Sequence, residues 1–197
     1  MKTILIVIAV VFAGTAYYFY DGKTTAENAL ESKVDLISKE KEKEVAQLKG
    51  TYNEFADRLK KEIAQGQIKI IQLSDRLSVI MVDKILFPSG EAEITPEGLI
   101  VLERIGDVLK NSKNKTIRVE GHTDNVQITK QLKKKYATNW ELSTARATNV
   151  VRFLQENIGI EATLLQPIGM SEYHPVASNE TPDGRSQNRR IEIALLP

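Results

Sequence analysis

Thr116-Ile117-Arg118-Val119-Glu120-Gly121-His122-Thr123-Asp124-Asn125, followed by Thr138-Asn139-Trp140-Glu141-Leu142-Ser143-Thr144-Ala145-Arg146-Ala147, is the stretch that decides how this chain folds. In the first run Ile117 and Val119 alternate with Arg118 and Glu120, which predicts a strand with one buried and one polar face, ended by Gly121. The second run opens on Thr138 and Glu141 at capping-box spacing. Ala147, Val150, Val151, Leu154 and Ile158 then extend a helical stripe that Gly159 stops. Working towards the N-terminus, Leu77, Val79, Met81, Ile85 and Phe87 alternate as a strand, and Pro88-Ser89-Gly90 turns the chain. Thr95-Pro96-Glu97 starts a helix whose apolar face is Leu99, Leu102, Ile105, Val108 and Leu109. Towards the C-terminus, short strands are expected at about 164–168 and 191–196. Strand, helix, strand, helix, strand, strand predicts an α+β fold with helices on one face of a mixed sheet.

The whole chain of 197 residues, 42% hydrophobic and 27% charged, has material for one ordinary core plus an extension. A net charge of +1 and an aromatic content of 6% provide no basic field for a phosphate backbone, so nucleic acid is not an expected partner. The absence of Cys excludes disulfides, thiolate metal sites, a Cys nucleophile and a lipid-modified cysteine. No cofactor or metal is expected.

Residues 1–22 read as a signal anchor. Lys2 precedes an apolar or small run from Ile4 to Tyr20, near the lower limit of the roughly 17 to 25 residues that span a bilayer as a helix. Tyr17, Tyr18 and Tyr20 resemble an interfacial belt, while Gly14-Thr15-Ala16 keeps a cleaved signal peptide as the alternative. Either way the remainder is exported. Retained, it is tethered to the inner membrane in the periplasm; cleaved, it associates with the outer membrane or the wall. Residues 23–75 read as a helical spacer, with Leu30, Val34 and Ile37, then Val45, Leu48, Tyr52, Phe55 and Leu59, at coiled-coil spacing. Such a narrow seam must cover itself with a second copy or lie against the following domain. A parallel homodimer is the expectation; if fully helical, the spacer reaches on the order of 60 Å.

Residues 76–197 carry three ordered motifs: Gly121-His122-Thr123-Asp124-Asn125; Asn139 to Ala147; and Asn179 to Glu192, with Gly184-Arg185 and Asn188-Arg189-Arg190. Together they resemble the OmpA-like peptidoglycan-binding domain, in the variety found in flagellar MotB proteins. The resemblance implies a domain that holds the diaminopimelate of a peptidoglycan stem without cleaving it. Diaminopimelate presents an ammonium and a carboxylate on one carbon. Asp124 and Arg146 match the family's ligand-binding Asp and Arg: the carboxylate suits the ammonium, and the planar guanidinium suits the carboxylate. By the same resemblance Asn139 and Leu142 shape the pocket, though Asn139 could equally be a helix cap and Leu142 mainly core. Asn139 and Arg146 lie seven apart, about two turns, and so share a helix face. Arg189 and Arg190 are expected to support the structure, at least one by holding a carboxylate, and Arg185 to fix a loop. The expectation is that Asp124→Ala and Arg146→Ala each abolish wall binding with the fold intact.

Two positions depart from the family pattern. Pro88 stands where many members carry a second ligand carboxylate, a role left to Asp83, Glu91 or Glu93. The loop from Val126 to Tyr136 carries Lys130, Lys133, Lys134 and Lys135, read as a solvated charge run, or more sharply as a contact for wall carboxylates or anionic lipid. Two other functions compete. A wall hydrolase is poorly supported by two histidines and no nucleophile elbow. A MotB-like stator subunit lacks a membrane carboxylate, since none occurs from Ile4 to Tyr20.

Overall fold

The computed structural model describes residues 2–73, 75–112 and 115–196; of residues 2–14, 16, 19 and 26 only the backbone is described. Residues 1–46 and 47–197 are separate compact units. The first is a continuous helix, the beginning of α1 (Lys2–Arg58). Leu30, Val34, Ile37 and Val45 are all exposed on it. Among the described residues no helix is long and apolar enough to cross a membrane. The expected anchor, Ile4 to Tyr20, lies almost wholly outside the described side chains.

The second unit contains the end of α1, α2 (Lys60–Ala64), β1 (Ile68–Gln72), β2 (Leu77–Val82), α3 (Asp83–Leu86) and α4 (Pro96–Lys110). It continues with β3 (Thr116–His122), α5 (Asn139–Phe153), β4 (Leu165–Ser171), α6 (Pro182–Asn188) and β5 (Arg190–Leu196). The strands form one mixed sheet in the order β1-β2-β5-β3-β4, with β3 and β4 parallel and the other neighbours antiparallel. The single parallel pair is bridged by α5, the crossover that parallel strands require. Val79, Ile193 and Val119 fall in one register row, and with Met81, Ile191 and Ile117 they join the buried faces of α4 and α5 in a common core. Burial of these side chains is the main force holding helices to sheet.

Both helix starts behave as their sequences predict. Thr95 Oγ1 accepts from the Gly98 N–H at 3.0 Å with Pro96 in the first turn, and Thr138 with Glu141 forms a complete capping box. Gly159, at φ +80°, ends the helical run beyond α5.

Three features differ from the sequence reading. The strand expected to run to Phe87 stops at Val82, and Asp83–Leu86 forms a helical turn. The sheet begins with an additional edge strand, β1, inside the stretch read as spacer; its partner is β2, with Ile68 opposite Met81. Finally, the C-terminal part of the helical seam is buried within one chain: Leu48, Phe55 and Leu59 belong to the core of the second unit, packed with α4 and the sheet. Of the two partners the sequence allowed for this part, the following domain is the one found. Phe55→Ala is accordingly expected to lower unfolding free energy by about 3–5 kcal/mol in urea titrations, whereas Lys43→Ala, at an exposed position outside the apolar seam, leaves it unchanged.

Candidate functional site

A cavity of about 370 Å³ opens where the loop after β3, the first turns of α5, the α3 turn and the end of α6 converge. Asp83, Phe87, Asp124, Asn139, Leu142, Arg146, Arg185 and Arg189 all contribute to its wall. The four residues singled out for the ligand therefore come together, as do two of the three supporting arginines.

Arg146 and Asp124, assigned to opposite charges of the ligand, each hold a different partner in the chain. Arg146 Nη1 donates to Asp83 Oδ2 at 2.9 Å and its Nε to the Glu91 carbonyl at 2.8 Å, while its guanidinium lies 5.0 Å from the centre of the Phe87 ring. Asp124 instead accepts from Arg189 Nη1 through Oδ2 and from the Val126 N–H through Oδ1 at 3.1 Å. Arg189 also approaches Asp83, Nε to Oδ1 at 3.7 Å. The cavity thus carries a compact quartet of two carboxylates and two guanidiniums. Asp83 stands where β2 gives way to the α3 turn: its N–H still donates to the Arg189 carbonyl at 3.0 Å, one step past the Val82–Arg190 pair, which brings Arg189 alongside its carboxylate.

Burial raises the Asp83 carboxyl above its ordinary range, a shift that Arg146 and Arg189 oppose. The same burial lowers the Arg146 guanidinium, opposed by Asp83. Both shifts reflect charges held out of water, which ties the cost of breaking the pair to the loss of either partner.

Asn139 is not the helix cap, since Thr138 occupies that position. Its Nδ2 lies within hydrogen-bonding distance of the Asp124 carbonyl (3.3 Å), the Val126 carbonyl (3.1 Å) and Glu172 Oε2 (2.6 Å). It therefore clamps the loop that presents Asp124. Leu142 is buried with Ala92 and Tyr136 and closes one wall. Arg185 fixes its loop, Nη1 donating to the Asn179 carbonyl at 2.8 Å. Arg190 lies away from the cavity and donates to the carbonyls of Asn188 and His174. Glu91, one possible replacement for the missing carboxylate, pairs with Lys135 at 2.8 Å, which engages one lysine of the basic loop.

Sequence spacing did not reveal Glu172 or the direct hold of Arg189 on Asp124. Only the assembled fold brings residues 65 positions apart into contact. Among the described residues neither ring nitrogen of buried His122 has a hydrogen-bond partner; Nε2 stands 3.5 Å from Glu120 Oε2. Glu120, His122 and Glu192 gather potential ligand atoms within 4.8 Å of one another. Arg118, 3.8 Å from Glu120, and Arg190, which interacts with both carboxylates, already balance their charge. The cluster lies on the sheet face opposite Val119 and Ile193, with Arg118 and Arg190 beside its carboxylates.

A family model described as OmpA family matches residues 86–189, more than half the chain. The chain belongs to the OmpA family. It is 33% identical over 199 residues to Motility protein B of Bacillus subtilis (strain 168), covering 93% of this chain and 74% of that one. Peptidoglycan-binding protein ArfA of Mycobacterium tuberculosis (strain ATCC 25618 / H37Rv) is 29% identical over 123 residues, and the alignment spans 62% of this chain but only 35% of ArfA. Among solved structures, the cell wall anchor of the T6SS from Pseudomonas aeruginosa superposes with a TM-score of 0.65 at 33% identity, covering 72% of this chain and 96% of that one.

Proposed function

We propose that this protein binds peptidoglycan without cleaving it, gripping the diaminopimelate of the peptide stem, and so anchors a membrane or a membrane complex to the wall. The observation that carries this reading is the quartet: Asp124, Asp83, Arg146 and Arg189 border one cavity, so an ammonium and a carboxylate on one carbon can each find an opposite charge there. On binding, the ligand carboxylate takes guanidinium donors and its ammonium takes the carboxylates, with little net change in buried charge. Asp83 supplies the second carboxylate that Pro88 does not. The names of ArfA and of the Pseudomonas anchor point the same way.

The binding-only reading gains support from Ser143. Its Oγ donates to the Trp140 carbonyl at 3.0 Å and accepts from the Ser171 N–H at 3.1 Å, and Asp124 is taken by Arg189, so Ser143 and Asp124 are not joined in a Ser-His-Asp relay. The similarity to Motility protein B favours a stator subunit as the second reading, but the run from Ile4 to Tyr20 contains no carboxylate to carry a proton. We therefore assign a passive anchor, retained in the inner membrane by that run and facing the periplasm. The exposed Leu30, Val34, Ile37 and Val45 are the part of the seam left for a second copy, which makes a parallel dimer the proposed state.

Asp124→Asn tests the assignment. The substitution keeps the acceptor for the Val126 N–H and frees an arginine that is already 37% solvent-exposed, so the fold is retained. Pull-down by purified wall is expected to disappear while the thermal transition stays in place. Wild-type retention on the wall would refute the site.

A further inference from the structure

Trp140, in the first turn of α5, and Tyr173, just beyond β4, stack with ring centroids 5.4 Å apart and planes inclined by 28°. The packing of α5 on β4 brings the two segments side by side. The rings cover one another yet remain exposed, 46% for Trp140 and 64% for Tyr173, so each keeps much of its apolar surface in water. A paired aromatic surface of this kind has the shape to receive a flat, partly apolar ligand.

The stack adjoins the cavity. Trp140 follows Asn139, Tyr173 follows Glu172, and the Asn139 Nδ2–H donates to Glu172 Oε2 at 2.6 Å, a side-chain bond that ties the two segments together. A groove of about 220 Å³ runs beside it, lined by Gln127, Ile128, Lys133, Thr138, Asn139 and Glu172, and shares Gln127, Ile128 and Asn139 with the cavity. A polymer branch seated in the cavity would thus leave along polar side chains and meet the aromatic pair.

We propose that Trp140 and Tyr173 form a sugar platform, on which a pyranose ring of the glycan strand rests while its peptide stem occupies the cavity. The proposal builds on the stem-binding reading above. A pyranose offers an apolar C–H face to an aromatic ring and polar hydroxyl and acetamido groups at its edge, and Glu172, Lys133 and Gln127 supply hydrogen-bonding partners for that edge. The single tryptophan of the chain sits in this pair, so its fluorescence reports directly on occupancy.

The test titrates wild type, Trp140→Ala and Tyr173→Ala with two probes: a diaminopimelate-containing stem tripeptide, and the same stem carried on its N-acetylglucosamine–N-acetylmuramic acid disaccharide. Wild type is expected to bind the disaccharide-peptide about tenfold more tightly than the bare peptide, and each variant to lose that advantage while holding the bare peptide unchanged. Trp140 fluorescence in the wild type should respond more strongly to the disaccharide-peptide. Equal wild-type affinity for the two probes, or an equal loss for both in the variants, would overturn the platform; so would self-association that vanishes in Trp140→Ala while both affinities stay equal to wild type. Failure of the bare peptide to bind the wild type counts against the stem reading alone: Trp140-dependent binding of the disaccharide-peptide would still uphold the platform, and no binding of either probe would sink both. Trp140→Phe, which keeps a ring, should restore most of the affinity.

Discussion

Arg146→Ala is expected to abolish wall binding and, in addition, to lower the unfolding free energy by about 3–5 kcal/mol, because it strands a buried carboxylate. Arg146 is 2% exposed and Asp83 7%, and their 2.9 Å contact is the shortest ion pair Asp83 makes. The sequence reading expected the fold to survive this substitution unharmed; the Asp83 pairing is the reason it should not. The deficit must also depend on pH. Asp83 already has a raised pKa, and losing Arg146 raises it further, so between the ordinary carboxylate value and the raised one the folded protein binds more protons than the unfolded chain. Stability of the variant then falls as pH rises through the folded-state pKa and recovers as pH is lowered through it. Urea titrations at several pH values would show the gap to wild type narrowing on the acid side. Adding Asp83→Asn to Arg146→Ala should restore much of the stability and none of the binding. A variant as stable as wild type at every pH would contradict the buried pair.

The second large effect is expected at Gly121. A Cβ there would overlap the Ser143 carbonyl oxygen of α5, a backbone atom that cannot turn aside. Gly121 pairs in register with Gly169 of β4, where a Cβ would likewise meet Thr144. The two glycines let α5 lie directly on the parallel strands, and this close seating positions Asn139, Leu142 and Arg146 around the loop that bears Asp124. Gly121→Ala should therefore lift the helix, cost about 3 kcal/mol in urea unfolding, and weaken stem binding through displacement of groups it never touches. Gly50→Ala is the control. Nothing lies within 4 Å of a Cβ at that exposed helical position, so this change should stabilise by about 0.5–1 kcal/mol. Equal behaviour of the two variants would show that the helix is free to shift.

Gly121 also marks the boundary of what was legible in the sequence. Alternation identified β3 correctly, but a glycine in a strand reads as its end, and the helix that demands it there is known only once the chain is folded. Helix starts were legible because a cap is local: Thr95 with Pro96, and Thr138 with Glu141, meet their partners within one turn. Of the site, the motif residues Asp124, Asn139, Leu142 and Arg146 all reached the cavity. Asp83 was legible as a possible second carboxylate and Arg189 as a holder of one, but which charges pair was not, because the two lie 63 and 65 positions from the groups they hold and no spacing rule spans such distances. The α3 turn was missed because Ile85 and Phe87 satisfy a two-residue period by chance of composition. β1 was missed because five residues with a lysine among them carry too weak a pattern to separate from the helix before it.

The measurement that reaches the centre of this account is a calorimetric comparison of two stem tripeptides, one with diaminopimelate and one with lysine at the same position, since lysine keeps the side-chain amine but lacks the second carboxylate. The paired-charge cavity predicts binding of the diaminopimelate peptide, loss of that binding in Asp124→Asn, and little heat from the lysine peptide. Equal affinity for both peptides, or an unchanged titration in Asp124→Asn, would contradict it.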